Sequence, residues 1–332
     1  MSKRERLEAA IRGEETDRVP VALWRHFPGD DQAPLDLAAS TVAFQRQYDF
    51  DFIKVTPASS FCVRDWGVED EWLGNQEGTR EYVRQPVEGP GDWQALRPLD
   101  PEQGALAAQL RCLEAIHAAV GEDVPFIQTI FNPLSQAKNL VGKQNLLAHL
   151  REEPEAVKAG LETITATTEA FVRAARGRGI AGIFIATQHA SYELLSEAEY
   201  AEFGVPYDRR VLAAAEGLWL NVLHLHGNRV MLDLLADYPV QVINWHDRET
   251  PPSLREGQGR FVGAVLGGLR QWETMLRGKP ADVYREARDA FDQTDSQRFI
   301  LGTGCVTPIT APWGNLRAAR QAVERGLGSI GS

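Results

Sequence analysis

A (β/α)8 barrel is the fold class that this sequence predicts. Three observations predict it: eight short apolar runs of strand length, helix-length segments between most of them, and a length of 332 residues, which suits one such barrel. The runs are apolar on both faces, as expected of parallel strands buried between a lumen and an outer layer of helices. A doubly wound open sheet is the main alternative. It usually needs fewer strands, and no G-x-G-x-x-G follows the first run.

The first twenty residues, MSKRERLEAAIRGEETDRVP, read as a short amphipathic helix without the apolar core of a signal peptide. The apolar runs then follow in order. They are RVPVALW (18–24), FDFIKVT (50–56), VPFIQTI (124–130), AGIFIAT (181–187), LNVLHLH (220–226), VQVINW (240–245), FVGAVLGG (261–268) and RFILGTG (298–304). Helical spacing of apolar residues marks 102–120, 154–178, 197–218, 268–292 and 312–326. In the last of these, Pro312 sits where a first turn tolerates proline, and Gly326 follows the periodic run. One segment, 61–100, breaks the rhythm. Two alternating runs flank the turn-like NQEG, which predicts a β-hairpin excursion serving as a rim or lid over the barrel mouth. GPGDW (89–93) leads back to the next helix, so one barrel domain over 1–332 is expected.

A net charge of −11 makes a nucleic-acid backbone an unsuitable partner. No stretch approaches the ~18 uninterrupted apolar residues of a membrane span. Three cysteines, Cys62, Cys112 and Cys305, without a secretion signal, predict a reducing, cytoplasmic setting rather than a disulfide framework.

In such a barrel, reactive groups collect at the carboxyl ends of the strands. Five of the seven histidines fall there: His26, His189, His224, His226 and His246. The other two, His117 and His149, sit in helical segments. His224 and His226 are two residues apart on one run and therefore share a face. Two imidazoles in the lumen could converge on one ion, and Cys305 after the eighth run could add a thiolate. Two histidines and a cysteine are a reasonable zinc set with a fourth position open for substrate. The competing reading is plain packing, with each imidazole only hydrogen-bonded. Arg25, His26, Thr56, Asn132, Gln188, His189 and His246 are the remaining strand-end groups expected to bind or orient a small-molecule substrate.

TDRVPVALWR, FDFIKVTP, VPFIQTIFNP, HLHGN and ILGTGCVTPITAPWGNLRAA, in that order and nearly end to end, resemble the uroporphyrinogen decarboxylase superfamily. The resemblance implies a (β/α)8 barrel and one of two activities: decarboxylation in the haem pathway, or methyl transfer linked to cobalamin. The decarboxylase branch carries R-x-x-x-R after the first strand. Arg25 matches its first arginine, but Gly29 stands at the second. Thr56, Asn139, Gln188 and Cys305 stand at or near its aspartate, tyrosine, serine and histidine. The methyltransferase branch holds zinc with H-x-C on strand five and a cysteine after strand eight. His224 and Cys305 match the ends of that set, and His226 replaces its middle cysteine. The resemblance therefore implies a zinc-assisted methyltransferase, with a thiol as acceptor and a corrinoid, on a separate protein, as donor. Alternatives are a porphyrinogen decarboxylase with an altered pocket and a non-catalytic binding barrel. Members of the family often form dimers.

Overall fold

The computed structural model describes residues 1–324. Seven strands form one parallel, curled sheet: β1 (Ile53–Val55), β4 (Phe126–Phe131), β5 (Gly182–Thr187), β6 (Val222–Leu225), β7 (Val242–Trp245), β8 (Ala264–Leu269) and β9 (Phe299–Thr303). Their spatial order follows chain order. Every residue in these strands is buried. That is why they read as continuous apolar runs rather than alternating ones.

The first of the eight expected runs is not a regular strand. Residues 20–22 instead span the gap between the two edge strands. Leu301 N donates to the Pro20 carbonyl and Ala22 N to the Leu301 carbonyl, while on the other side Asp51 N donates to the Val21 carbonyl. Two causes keep the segment irregular. Pro20 has no N–H to give, and the Val21 N–H is taken by the Asp51 carboxylate at 2.7 Å. The same carboxylate is fully buried and receives Arg6 at 2.7 Å and Arg18 at 2.8 Å. A three-partner ion cluster therefore does at this seam what a ladder of backbone bonds does elsewhere.

Helices cover the outside of the sheet. Pro154–Arg176 buries Val157, Leu161, Ile164, Thr168, Phe171 and Ala175, alternating three and four residues apart. That spacing keeps one stripe facing inward. The expected helix over 197–218 is broken in two at Gly204, as Glu197–Phe203 and Val205–Ala214. The helix expected over 268–292 begins later, at Pro280, and runs to Thr294. Before it lies a π-helical turn, Gln271–Leu276, and Pro280 cannot continue a preceding helix. The last helix is Trp313–Ala322, and the expected end at Gly326 lies outside the described residues.

Within 61–100, β2 (Glu69–Glu71) and β3 (Glu81–Arg84) pair antiparallel. Between them Gly78 N donates to the Asn75 carbonyl, closing a turn on NQEG. No helix among the described residues is long and apolar enough to cross a membrane.

Candidate metal centre and its cavity

Three strand ends deliver the polar side chains at the centre of the sheet. The register pairs His224 on β6 with Asn244 on β7. His226 lies one residue beyond β6, but its N–H still donates to the Thr187 carbonyl, so the strand's facing carries on to it. His246 follows β7 directly, and Gly304 and Cys305 follow β9. Gly304 lets these ends meet. A Cβ there would stand 2.7 Å from the His246 Cα and 2.9 Å from the Trp245 carbonyl oxygen, closer than any side chain permits.

The result is a cluster of four donors. One ligand atom from each of His224, His226, His246 and Cys305 lies within 4.8 Å of the others. The ring centres are 5.6 Å apart for His224 and His226, 6.0 Å for His224 and His246, and 5.1 Å for His226 and His246. Cys305 Sγ is 3.8 Å from His226 Nδ1. His246 Nε2 is buried with no hydrogen-bond partner among the described residues, so it is an atom that a bound ion could satisfy. His224 Nδ1 is 2.6 Å from Asn244 Oδ1. The Asn244 amide in turn donates to the Leu266 and Thr303 carbonyls at 2.9 and 3.1 Å.

Burial keeps the imidazoles uncharged. Burial, reinforced by neighbouring imidazoles, pushes His226 down to about 3 and His224 well below the usual histidine range. Burial alone takes His246 down to about 4. All three rings are therefore neutral and have lone pairs to give. Burial pushes the Cys305 thiol up to about 12, so without a cation beside it the sulfur keeps its proton. Three imidazoles and a sulfur are a donor set of the zinc kind.

The cluster forms one wall of a cavity of about 180 Å3. Trp24, Lys54, Thr56 and Phe184 form another part, and Lys138, Gln188 and Tyr82 a third. Lys54 Nζ lies 4.6 Å from the centre of the Phe184 ring and 5.7 Å from that of Trp24. Phe184 itself stacks on His224 at 5.1 Å. The lysine's hydrogen bond goes to Thr56 Oγ1 at 3.3 Å, and no described carboxylate pairs with it. Burial, opposed in part by Cys305, pulls its amine down to about 7. Lys138 donates to Gln188 Oε1 at 3.0 Å.

The NQEG turn reaches this cavity. Glu77 and Arg80 line it. Gln271, in the π-helical turn, donates to Glu77 Oε1 at 2.6 Å, and Ile309 N donates to the Gln76 carbonyl at 2.8 Å. Gly78 has φ +80°, and a Cβ there would come within 2.6 Å of the His26 Cβ, so only glycine lets the turn lie this close.

Of the residues expected from sequence, His224, His226 and Cys305 come together, and His246, expected as a substrate contact, lies within reach of them as a fourth possible donor. His26, Thr56 and Gln188 line the cavity. Three others are placed elsewhere. Asn132 is spent on structure: its oxygen caps the helix Pro133–Val141 at Ser135 N, and its amide donates to Asp208 and Tyr200. Arg25 turns back onto the His26 carbonyl at 3.2 Å and over the Phe27 ring, outside the cavity lining. His189 is buried and does not line the cavity, and both its ring nitrogens lack partners among the described residues. Sequence reasoning missed Lys138 and Glu77. Lys54 and Asn244 stand among the polar groups at strand ends, but their position alone assigned them no role.

A family model described as uroporphyrinogen decarboxylase (URO-D) matches residues 2–326. The chain belongs to the uroporphyrinogen decarboxylase family. Curated relatives within reach of this URO-D chain are enzymes of two types. A methylated-thiol–coenzyme M methyltransferase of Methanosarcina mazei is 26% identical, over 98% of this chain and 89% of its own length. A uroporphyrinogen decarboxylase of Syntrophotalea carbinolica is 27% identical, over 68% of this chain and 66% of its own. Among solved structures, a methyltransferase from Methanosarcina mazei superposes with a TM-score of 0.83 at 19% identity, covering 98% of this chain and 99% of that one. The URO-D chain shares that fold, and it is an enzyme of one of these two types.

Proposed function

We propose that this URO-D chain is a zinc-assisted methyltransferase that activates a thiol acceptor, with a corrinoid on a separate protein as methyl donor. The observation that carries the reading is the four-donor cluster of His224, His226, His246 and Cys305. Zinc held there would act as a Lewis acid that keeps the acceptor's sulfur as a thiolate at neutral pH. The residues do the rest. His224 and His226 from the end of β6 and Cys305 from the end of β9 would hold the ion, and His246 would supply a further donor. His226 stands where a cysteine would add a negative charge, so this set leaves more positive charge on the metal. Phe184 and Trp24 exclude water from one side of the cavity, while Lys54, Lys138, His26, Thr56 and Gln188 offer polar groups to the acceptor's far end. Residues 61–100 act in this reading as the rim of a single unit, and Glu77 closes over the ligand.

The decarboxylase reading has less behind it. A cavity of about 180 Å3 falls below the roughly 300–1,000 Å3 of pockets for drug-sized ligands, and a porphyrinogen is larger than these. Gly29, Thr56 and Gln188 also stand at or near the positions where that branch has its second arginine, its aspartate and its serine, so those polar groups are missing.

The test combines metal analysis with turnover. Protein purified without added zinc should carry about one metal equivalent per chain, and His226→Ala should lose it. With free methylcobalamin and 2-mercaptoethanesulfonate, the coenzyme M thiol, the visible spectrum should report thiol-dependent loss of the methyl group. A chain that binds no zinc and leaves methylcobalamin intact in the presence of thiols refutes the proposal.

A further inference from the structure

We infer that Asn244 is a positioning residue that fixes which nitrogen of His224 faces the cluster. An asparagine side chain can rotate by half a turn and exchange its acceptor for its donor, so its orientation must come from its surroundings. Here the surroundings leave one choice. Two main-chain carbonyls, Leu266 on β8 and Thr303 on β9, lie 2.9 and 3.1 Å from Asn244 Nδ2. Carbonyl oxygens only accept, so the amide nitrogen must point at them, and Asn244 Oδ1 must point at His224. That oxygen is also only an acceptor. At 2.6 Å it requires a proton on His224 Nδ1. A neutral imidazole carries one proton, so Nε2 is left bare. The lone pair that His224 can give is thus set by two peptide groups on strands it does not touch.

The placement follows from the sheet. His224 and Asn244 are direct cross-strand partners, so their side chains leave the backbone side by side on the same face. Asn244 is fully buried, and no solvent competes for its amide. Among the described residues, His224 is the one of the three imidazoles held by such a chain, while His246 Nε2 has no partner there. Outer contacts of this kind orient a ligand and raise its affinity for a metal about 10- to 100-fold. The inference deepens the metal reading above, but its first test does not depend on it.

That first test is the tautomer. Long-range nitrogen–proton correlation spectra of the metal-free protein, with histidine side chains labelled in 15N and His224 assigned through a His224→Gln variant, should show the proton on Nδ1. A proton on Nε2 overturns the inference, whatever the metal does. The second test is zinc affinity by chelator competition. Asn244→Leu should weaken zinc about 10- to 100-fold. Asn244→Asp keeps an acceptor for the imidazole but loses the donors to Leu266 and Thr303, and it should retain affinity near that of the wild type. A residue that merely tied β8 to β9 would make Asn244→Asp fall as far as Asn244→Leu, and that result also overturns the inference. Should Asn244→Leu fail to fold, the tautomer and the aspartate variant still decide. A wild type that binds no zinc removes the metal from the proposed function but leaves the tautomer test standing.

Discussion

Replacing Lys54 by methionine should make the protein more stable, and by an amount that depends on pH. The amine sits in a cavity wall between two aromatic rings, its hydrogen bond goes to a threonine hydroxyl, and no described carboxylate balances it. Burial lowers its folded-state pKa from 10.5 to about 7. A lysine with a depressed folded value binds more protons when unfolded, so its presence costs stability at low pH and the cost fades as pH rises from 7 towards 10.5. At 1.36 kcal/mol per pH unit of separation, the full cost is about 5 kcal/mol well below pH 7 and about 2 kcal/mol at pH 9. Methionine fills nearly the same volume without the charge. Urea unfolding of wild type and Lys54→Met at pH 6 and pH 9 should therefore show the variant ahead at both, with the gap narrowing by about 2–3 kcal/mol at the higher value. A gap that does not change with pH, or a variant less stable than the wild type at pH 6, would refute the reasoning. Either result would mean that water or an unseen anion already serves the amine.

Other perturbations have equally definite outcomes. Asp51→Asn leaves Arg6 and Arg18 without their shared buried partner and should cost about 3–5 kcal/mol in unfolding free energy. Asp208 accepts from Asn132, Tyr200 and Tyr238, yet burial raises its carboxyl from 3.8 to about 6. The folded state thus holds its proton more tightly, and stability should fall by up to about 3 kcal/mol as pH rises through 3.8 to 6, a swing that Asp208→Asn removes. Glu77→Ala cuts the bond from Gln271 to the NQEG turn. It should speed the reaction of Cys305 with a thiol reagent about 10- to 100-fold, on the order of one lost charge-assisted bond, measured against a Cys62→Ala, Cys112→Ala background. His226→Cys should keep the metal but lower its Lewis acidity, shifting a bound cobalt(II) spectrum towards stronger sulfur charge-transfer bands.

Much of the fold was legible because burial on both faces leaves a plain mark on a strand. Seven of the eight apolar runs became strands, each starting one to three residues later than the run, and two of them, β4 and β8, ending one residue beyond it. The eighth, around Val21, looked the same in sequence, yet its backbone is claimed by a carboxylate thirty residues away. No local pattern reports such a partner. The pairing of His224 with His226 was readable from a two-residue spacing, because strand geometry alone puts both on one face. The donor role of His246 was not readable, since it depends on how far a neighbouring strand end slides past β6. Asn132 misled for the opposite reason. It stands at a strand end, but it also begins a helix at Pro133, and a cap consumes the oxygen that a substrate would need. Lys54 and Asn244 gain their importance from what surrounds them, which is assembled from four different strands.

The seam at residues 20–22 also sets an order of events. Its backbone partners lie at Leu301 and Asp51, so the ring cannot shut until almost the whole polypeptide exists. A chain made from its amino end has Asp51 early, so residues 20–22 can seat beside β1, but the side of the seam that pairs with Leu301 stays open until β9 is made. During that interval Asp51 and its two arginines, all near the amino end and all polar, occupy the exposed margin. Charges at an open sheet margin discourage pairing with another chain. The same cluster that later locks the ring therefore guards it while it is incomplete.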